Sequence, residues 1–181
     1  MERETATELI RKAATGNENA FRQLVEAHQS FAWSLALRFV GDKDDAADLV
    51  QEAFIRVWKN LSRYNPEYQF STWLGKVLTN LCLDFLRSRK RKNIMVQPFD
   101  QAAAEIGTID TVENEMNHVE WMQRVVALSK QLPDKQQAVF ILRDLEGLSV
   151  EEVSTMLEMS PGNIKSHLYY ARVHIREGFK K

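Results

Sequence analysis

Residues 48–92 read DLVQEAFIRVWKNLSRYNPEYQFSTWLGKVLTNLCLDFLRSRKRK, and the spacing of their apolar positions decides the fold class. Leu49, Val50, Ala53, Phe54, Val57, Trp58 and Leu61 recur at intervals of three and four, the period of a helix that buries one face. The opposite face collects Asp48, Gln51, Glu52, Ile55, Arg56 and Lys59. Such a surface is ordinary solvated helix unless a partner docks on it. Asn65-Pro66 then interrupts the pattern, because proline fixes its own φ and drives the preceding residue out of the helical region. Beyond it, Leu74, Val77, Leu78, Leu81 and Phe85 predict a second helix whose polar face carries Lys76, Thr79, Asn80, Asp84 and Arg87. That helix runs out into the cations Arg87, Arg89, Lys90, Arg91 and Lys92.

Upstream of this stretch, residues 5–15 form a short helical pattern with Leu9, Ile10 and Ala13 inward, closed by Gly16. Asn17 is placed to cap the next helix, which carries Phe21, Leu24, Val25, Phe31, Ala32, Leu35 and Phe39 and stops at Gly41. Asp42, Asp44 and Asp45 sit where the following helix starts, the end at which its dipole favours negative charge. Downstream, periodicity fails from Asn93 to about Glu115, where VQPFDQAAAEIGTIDTVENE combines a proline, a glycine and an acidic bias and reads as a linker.

Helical signals resume near His118, with Val119, Met122, Val126 and Leu128 inward, and again after Pro133, with Val139, Phe140, Leu142 and Leu145. In LSVEEV, Ser149 followed by Glu152 forms a capping box, and in MSPGNI, Ser160 caps while Pro161 opens the next helix. Two helices so closely joined make a helix-turn-helix. Ile164, Leu168, Ala171 and Ile175 face inward, leaving Asn163, Lys165, Ser166, Tyr169, Tyr170 and Arg172 for solvent or a DNA groove. Tight helical pairs also serve as pure scaffolding, so this geometry alone leaves both readings open.

DLVQEAFIRVW followed by FSTWL, a helix bearing Asn80 and a terminal basic string closely resembles the core-polymerase-binding and promoter-melting segment of bacterial sigma factors. LPDKQQAVFILRDLEGLSVEEVSTMLEMSPGNIKSHLYYAR resembles the promoter-reading domain of the same family, with its EGLS turn, SPG start and KS-x-L-x-x-AR recognition helix. The short two-domain form is that of the extracytoplasmic-function group. The resemblance implies an all-α chain: an N-terminal domain over residues 1–93, an acidic, flexible linker over 94–115 and a helix-turn-helix domain over 116–181. It implies core RNA polymerase, duplex and melted promoter DNA and an anti-sigma factor as partners. Asp48, Gln51, Glu52 and Ile55 would meet polymerase. Tyr64, Tyr68 and Asn80 would take separated bases and Arg87, Arg89 and Arg91 the backbone, with Phe70 and Trp73 left to the core. Asn163, Lys165, Ser166, Tyr169, Tyr170 and Arg172 would lie at the upstream duplex. The chain departs from the family at Asn163, where threonine is common, and at His167 and Tyr170, where arginine is common, which lowers the positive charge available to phosphates.

Bulk properties narrow the alternatives. The 181 residues suffice for two small domains, with 44% hydrophobic and 27% charged residues. No apolar run approaches the roughly 20 residues of a membrane span, and the polar start MERETATEL is unlike a signal peptide, so a cytoplasmic protein without membrane insertion is expected. The single cysteine, Cys82, falls near a buried helix face and reads as packing. No glycine-rich phosphate loop, nucleophile elbow or metal-spaced cluster occurs, so no catalytic residue, cofactor or metal is expected. The charge is uneven: residues 1–93 carry +3, residues 94–127 −5 and residues 128–181 +1, for a net −1. Autonomous DNA binders draw affinity from neutralising phosphates and are usually basic, so the first reading is a non-enzymatic factor whose grip on DNA is shared with polymerase. An autonomous helix-turn-helix regulator is the rival, and an enzyme with an incidental DNA-binding tail a distant third. The acidic residues Asp100, Glu105, Asp110, Glu113 and Glu115 are expected to compete with phosphate for the basic string.

Overall fold

The computed structural model describes residues 3–96 and 118–180, all of them in helices, turns or short connections. The first helix, α1 (Arg3–Ala14), buries Ile10 and Ala13. Asn17 then caps α2 (Glu18–Val40) by accepting the Ala20 amide, and Gly41 ends it at φ 73°, returning its N–H to the Leu37 carbonyl at 2.8 Å. The left-handed conformation that this ending requires favours glycine. Helix α3 (Lys43–Asn60) starts on Asp42, whose carboxylate accepts the amides of Asp44 and Asp45 at 2.9 and 3.0 Å. A 3-10 turn (Leu61–Arg63) follows, and the Asn65 side chain shapes the next turn by accepting the Glu67 amide at 3.0 Å. The long helix α4 (Phe70–Val96) completes the N-terminal unit and continues past the expected end of the basic string. Helices α2, α3 and α4 pack around Leu24, Leu35, Phe39, Val57, Leu74 and Leu78, all fully buried.

Cys82 lies in this core, and burial pushes its thiol pKa up to about 12. A thiol so rarely ionised is a poor nucleophile, consistent with packing.

The C-terminal unit comprises α5 (His118–Ser129), α6 (Asp134–Phe140), α7 (Val150–Leu157) and α8 (Pro161–Gly178). Helix α6 widens into a π-helical turn over Ile141–Leu145, which keeps Ile141 and Leu142 fully buried. In α5 Val125 is buried, together with Ser129 at the helix end, and the neighbouring Val126 expected inward is only half-buried. Both halves of the Ser149–Glu152 capping box form, the two bonds measuring 2.8 and 3.1 Å. Ser160 accepts the Asn163 amide at 3.3 Å, and Pro161 opens α8. Between α7 and α8 the chain turns on Glu158 at φ 53° and ψ 44°. That left-handed region costs an ordinary residue about 1–2 kcal/mol and is usually given to glycine or asparagine.

The chain is thus all-α, with two helical units and a C-terminal helix-turn-helix. Their apolar interiors join where α7 lies on α4. At that crossing a Cβ on Gly75 would stand 2.6 Å from the Met156 Cε, so the absence of a side chain at Gly75 sets how close α7 comes. The burial of one residue corrects an expectation from the pattern. Thr79, assigned to the polar face of its helix, is completely buried, and its hydroxyl has no hydrogen-bond partner.

The cap of α3 gives the first test. Asp42→Ala is expected to cost about 1 kcal/mol of stability, and Asp42→Asn only a few tenths, in urea unfolding of the whole chain.

Candidate polymerase and nucleic-acid interface

Four of the sequence-selected residues gather on one side of α3. Asp48 and Gln51 are exposed, Glu52 is half-buried and bridges to Arg56 at 2.7 Å, and Ile55 shows 39% of its surface. An exposed isoleucine gains meaning from what lies beside it. Phe21 from α2 meets Trp58 at 4.7 Å and Phe54 edge-on at 6.5 Å, and between α2 and α3 this leaves an open apolar groove of about 430 Å³. Gln51 and Ile55 form one wall of that groove and Glu18 and Val25 part of the other. The face therefore offers apolar area with amide and acid groups at its rim, the composition of a protein-docking surface.

The loop before α4 sorts its aromatic rings into two kinds. Phe70 is buried, and Trp73 packs on it with ring centres 6.1 Å apart. Tyr64 joins them, 5.5 Å from Trp73, and its hydroxyl donates to the Tyr68 carbonyl. Tyr68, 46% exposed, is the ring of this loop that stands toward solvent. Asn80 projects from α4 into solvent.

Of the basic string along α4, Arg87, Arg89 and Lys90 are paired, largely to distant residues. Arg87 Nε and Lys90 Nζ donate to the two oxygens of Asp134, at the start of α6, each at 3.0 Å. Arg87 also meets Asp84 at 3.3 Å, and Arg89 reaches Asp45 on α3 at 3.3 Å. Nearly one helical turn before Thr79, Lys76 Nζ donates to Glu158 at 2.6 Å. These bonds, led by the one from Lys90, hold the Asp134 carboxyl below its usual pKa, and the bond from Lys76 does the same for Glu158. Arg91 and Lys92 are exposed.

A further bridge joins the units where they are drier. Glu146 takes a hydrogen bond from Ser34 at 3.0 Å and pairs with Arg38 at 2.6 Å. Its side chain is only 9% exposed, and loss of water raises its pKa in spite of Arg38 and Ser34. A buried pair of this kind specifies position better than it adds stability. The acidic residues Asp100, Glu105, Asp110, Glu113 and Glu115 lie outside the described residues.

On α8, Asn163, Lys165 and Ser166 are exposed near the helix start. Tyr169 and Tyr170 follow at 64% and 57% exposure, their rings edge to face at 5.5 Å. Arg172 departs from the rest. Its guanidinium makes two bonds to Asp144, at 2.7 and 2.8 Å, which raise its pKa and tie α8 to the π-helical turn. Fork-to-fork pairing fixes a guanidinium in orientation, so Arg172 braces the recognition helix.

Among the described residues there is no group of three or more metal-ligating side chains, and no helix is long and apolar enough to cross a membrane.

Two family models match the chain: sigma-70 region 2 over residues 24–92 and sigma-70 region 4 over residues 122–175. An ECF RNA polymerase sigma-E factor of Haemophilus influenzae is 30% identical over 170 residues, covering 91% of this chain and 89% of that protein. The chain belongs to the ECF group of RNA polymerase sigma factors. Among solved structures, CnrH in complex with the cytosolic domain of CnrY resembles this sigma factor at a TM-score of 0.72 and 23% identity, covering 97% of each chain. The sigma factor RpoE of Bartonella quintana, solved with the anti-sigma factor NepR, does so at 0.66 and 22%, covering 88% of this chain and 96% of that one. At these identities the two structures speak for the fold. The region 2 match spans most of α2, all of α3 and most of α4, and the region 4 match takes in the helix-turn-helix, so the residues selected on α3, α4 and α8 fall inside matched segments, while Glu18 and Phe21 of the groove precede them.

The division of this sigma factor's tyrosines is open to measurement. Truncating Tyr64 to alanine removes part of an aromatic cluster and is expected to cost on the order of 1–3 kcal/mol, whereas Tyr68→Ala stays within about 0.5 kcal/mol. Denaturant midpoints of the two variants decide it, and equal losses would place both rings in the core.

Proposed function

We propose that this chain is a transcription initiation factor that binds core RNA polymerase, directs it to particular promoters and is held in reserve by an anti-sigma factor. The observation that carries the reading is the joint presence, in order, of the region 2 and region 4 matches on one all-α chain. The anti-sigma partner is supported by the RpoE structure, in which the related fold is bound to NepR. The polymerase supplies the bond-making chemistry and this chain supplies recognition, so the work is non-enzymatic and belongs in the cytoplasm with the DNA.

The division of labour follows from the surfaces. Docking falls to Asp48, Gln51, Glu52 and Ile55 on α3, of which Gln51 and Ile55 line the α2–α3 groove, where apolar area gives affinity and polar groups give orientation. Promoter opening extrudes bases at a few kcal/mol each, and stacking one on an aromatic ring returns roughly 1–3 kcal/mol. Tyr68 is placed for stacking and Asn80 for a base edge, while Arg87, Arg89 and Arg91 follow the strand backbone. The upstream duplex is met by the start of α8, with Lys165 on a phosphate and Ser166, Tyr169 and Tyr170 toward the groove. Asn163, next to the capped helix N-terminus, serves the same duplex.

Run-off transcription with purified core enzyme on genomic fragments tests the whole reading: discrete start sites that need the added chain support it, and none would end it. Replacing Gln51 and Glu52 with alanine is expected to weaken core binding while helicity and thermal midpoint stay near wild type. Loss of both folding and binding would make that face structural. In the holoenzyme, Lys165→Ala is expected to weaken duplex binding alike on different sequences and to reduce the salt slope by about 0.9. A change in base preference at constant slope would instead make Lys165 a base reader.

A further inference from the structure

We propose that the Tyr169–Tyr170 pair on α8 selects thymine in the upstream duplex, its two rings bearing on C5-methyl groups in the major groove. The inference rests on the reading of α8 as the duplex-recognition helix and names the base chemistry which that helix reads.

The placement of the pair is the first support. Gly162, Ser166, Tyr169, Tyr170 and Val173 recur at steps of three and four residues, so they form one stripe along α8, turned away from the buried Ile164, Leu168, Ala171 and Ile175. The first turns of that stripe are low. A Cβ on Gly162 would meet nothing within 4 Å, and Ser166 is small and exposed, so nothing bulky there keeps the helix start from a groove. The rings rise from the stripe beyond it, Tyr169 about 12 Å along the helix from Pro161.

Exposure and rigidity are the second support. At 64% and 57%, the two tyrosines are the most exposed of the large apolar and aromatic side chains among the described residues, ahead of Tyr68 at 46%. Their planes cross at 76° with ring centres 5.5 Å apart. Edge-to-face contact steadies each ring against the other, and a tyrosine has few torsions left to order on binding. The pair therefore presents apolar area at low entropic cost.

The third support is the cation that the stripe lacks. Guanine is most often read by a guanidinium that bridges its O6 and N7. On α8, Arg172 is turned to Asp144 by two bonds, and Arg176 lies in the last turn, about 22 Å from the helix start. Lys165 stands seven residues before Arg172 on the same flank, beside the stripe and not within it, where a cation suits a phosphate. A phenol ring cannot reproduce the guanidinium fork. The feature of the major groove that rewards apolar area is the thymine methyl.

The test uses holoenzyme assembled from this chain and core polymerase. Upstream duplex sequences are selected with it from a library randomised in that region, and each thymine of the selected sequence is then replaced in turn by deoxyuridine, which pairs alike and lacks the methyl. With the wild-type chain, at least one replacement is expected to weaken binding about fourfold, the share of one buried methyl, and two together about fifteenfold. Tyr169→Ala or Tyr170→Ala is expected to abolish the penalty at the thymine that its ring meets. Tyr169→Phe and Tyr170→Phe are expected to keep it, since the ring and not the hydroxyl makes the contact. Both side chains are exposed, so the thermal midpoint stays near wild type in all four variants. A sequence-specific element whose deoxyuridine scan is flat overturns the proposal and leaves α8 a duplex reader by other contacts. Phenylalanine variants that weaken binding alike on every sequence, with the methyl penalty unchanged in the alanine variants, overturn it too and assign the hydroxyls to phosphates. A selection that returns no shared upstream sequence ends the reading of α8 as a recognition helix, and the inference with it.

Discussion

Helix α4 is packed on two sides, and everything else in the chain is arranged around that double demand. One side carries Leu74, Leu78, Leu81 and Cys82 into the N-terminal core, where no water reaches. The other side receives α7 at Gly75, the one place along the helix where the missing Cβ lets Met156 settle against the backbone. Glycine within a helix costs roughly 1 kcal/mol relative to alanine, so its presence here marks a packing need and not a helix preference. The same junction pairs Glu158 with Lys76, and Asp134 with Arg87 and Lys90, along α4.

The two kinds of contact at this crossing respond differently to their surroundings. The apolar contact around Met156 is largely indifferent to salt. The bridges at Lys76, Arg87 and Lys90 are solvent-exposed pairs, worth little each and weakened by screening. The Glu146 bridge is of another kind, since its carboxylate has given up most of its water and depends on Arg38 and Ser34 for compensation. Separating the units rehydrates Glu146, and that gain offsets part of the apolar area lost at Met156. The junction therefore combines apolar packing and one dry bridge with exposed pairs at its edge.

Local signals in the chain were legible and long-range ones were not. Asn17, the Ser149–Glu152 box, Ser160 with Pro161, and the glycine at 41 each act within a few residues, and each is found where the sequence places it. The two helices of the opening stretch and the helix-turn-helix follow from apolar periodicity alone. Thr79 escaped because its burial comes from tertiary packing, and a polar residue at a polar helical position gives no hint of it. Val125 and Val126 are adjacent and equally apolar, so a small rotation of α5 decides between them. The pairs Ser34–Glu146, Lys76–Glu158 and Arg87–Asp134 span 112, 82 and 47 residues. Nothing in a charge pattern selects one acidic partner among many at such distances. For the candidate site, the faces proposed for docking and recognition were visible as exposed sides of amphipathic helices. The distinct parts of Tyr64 and Arg172 were not, because each depends on a hydrogen bond formed only in the fold.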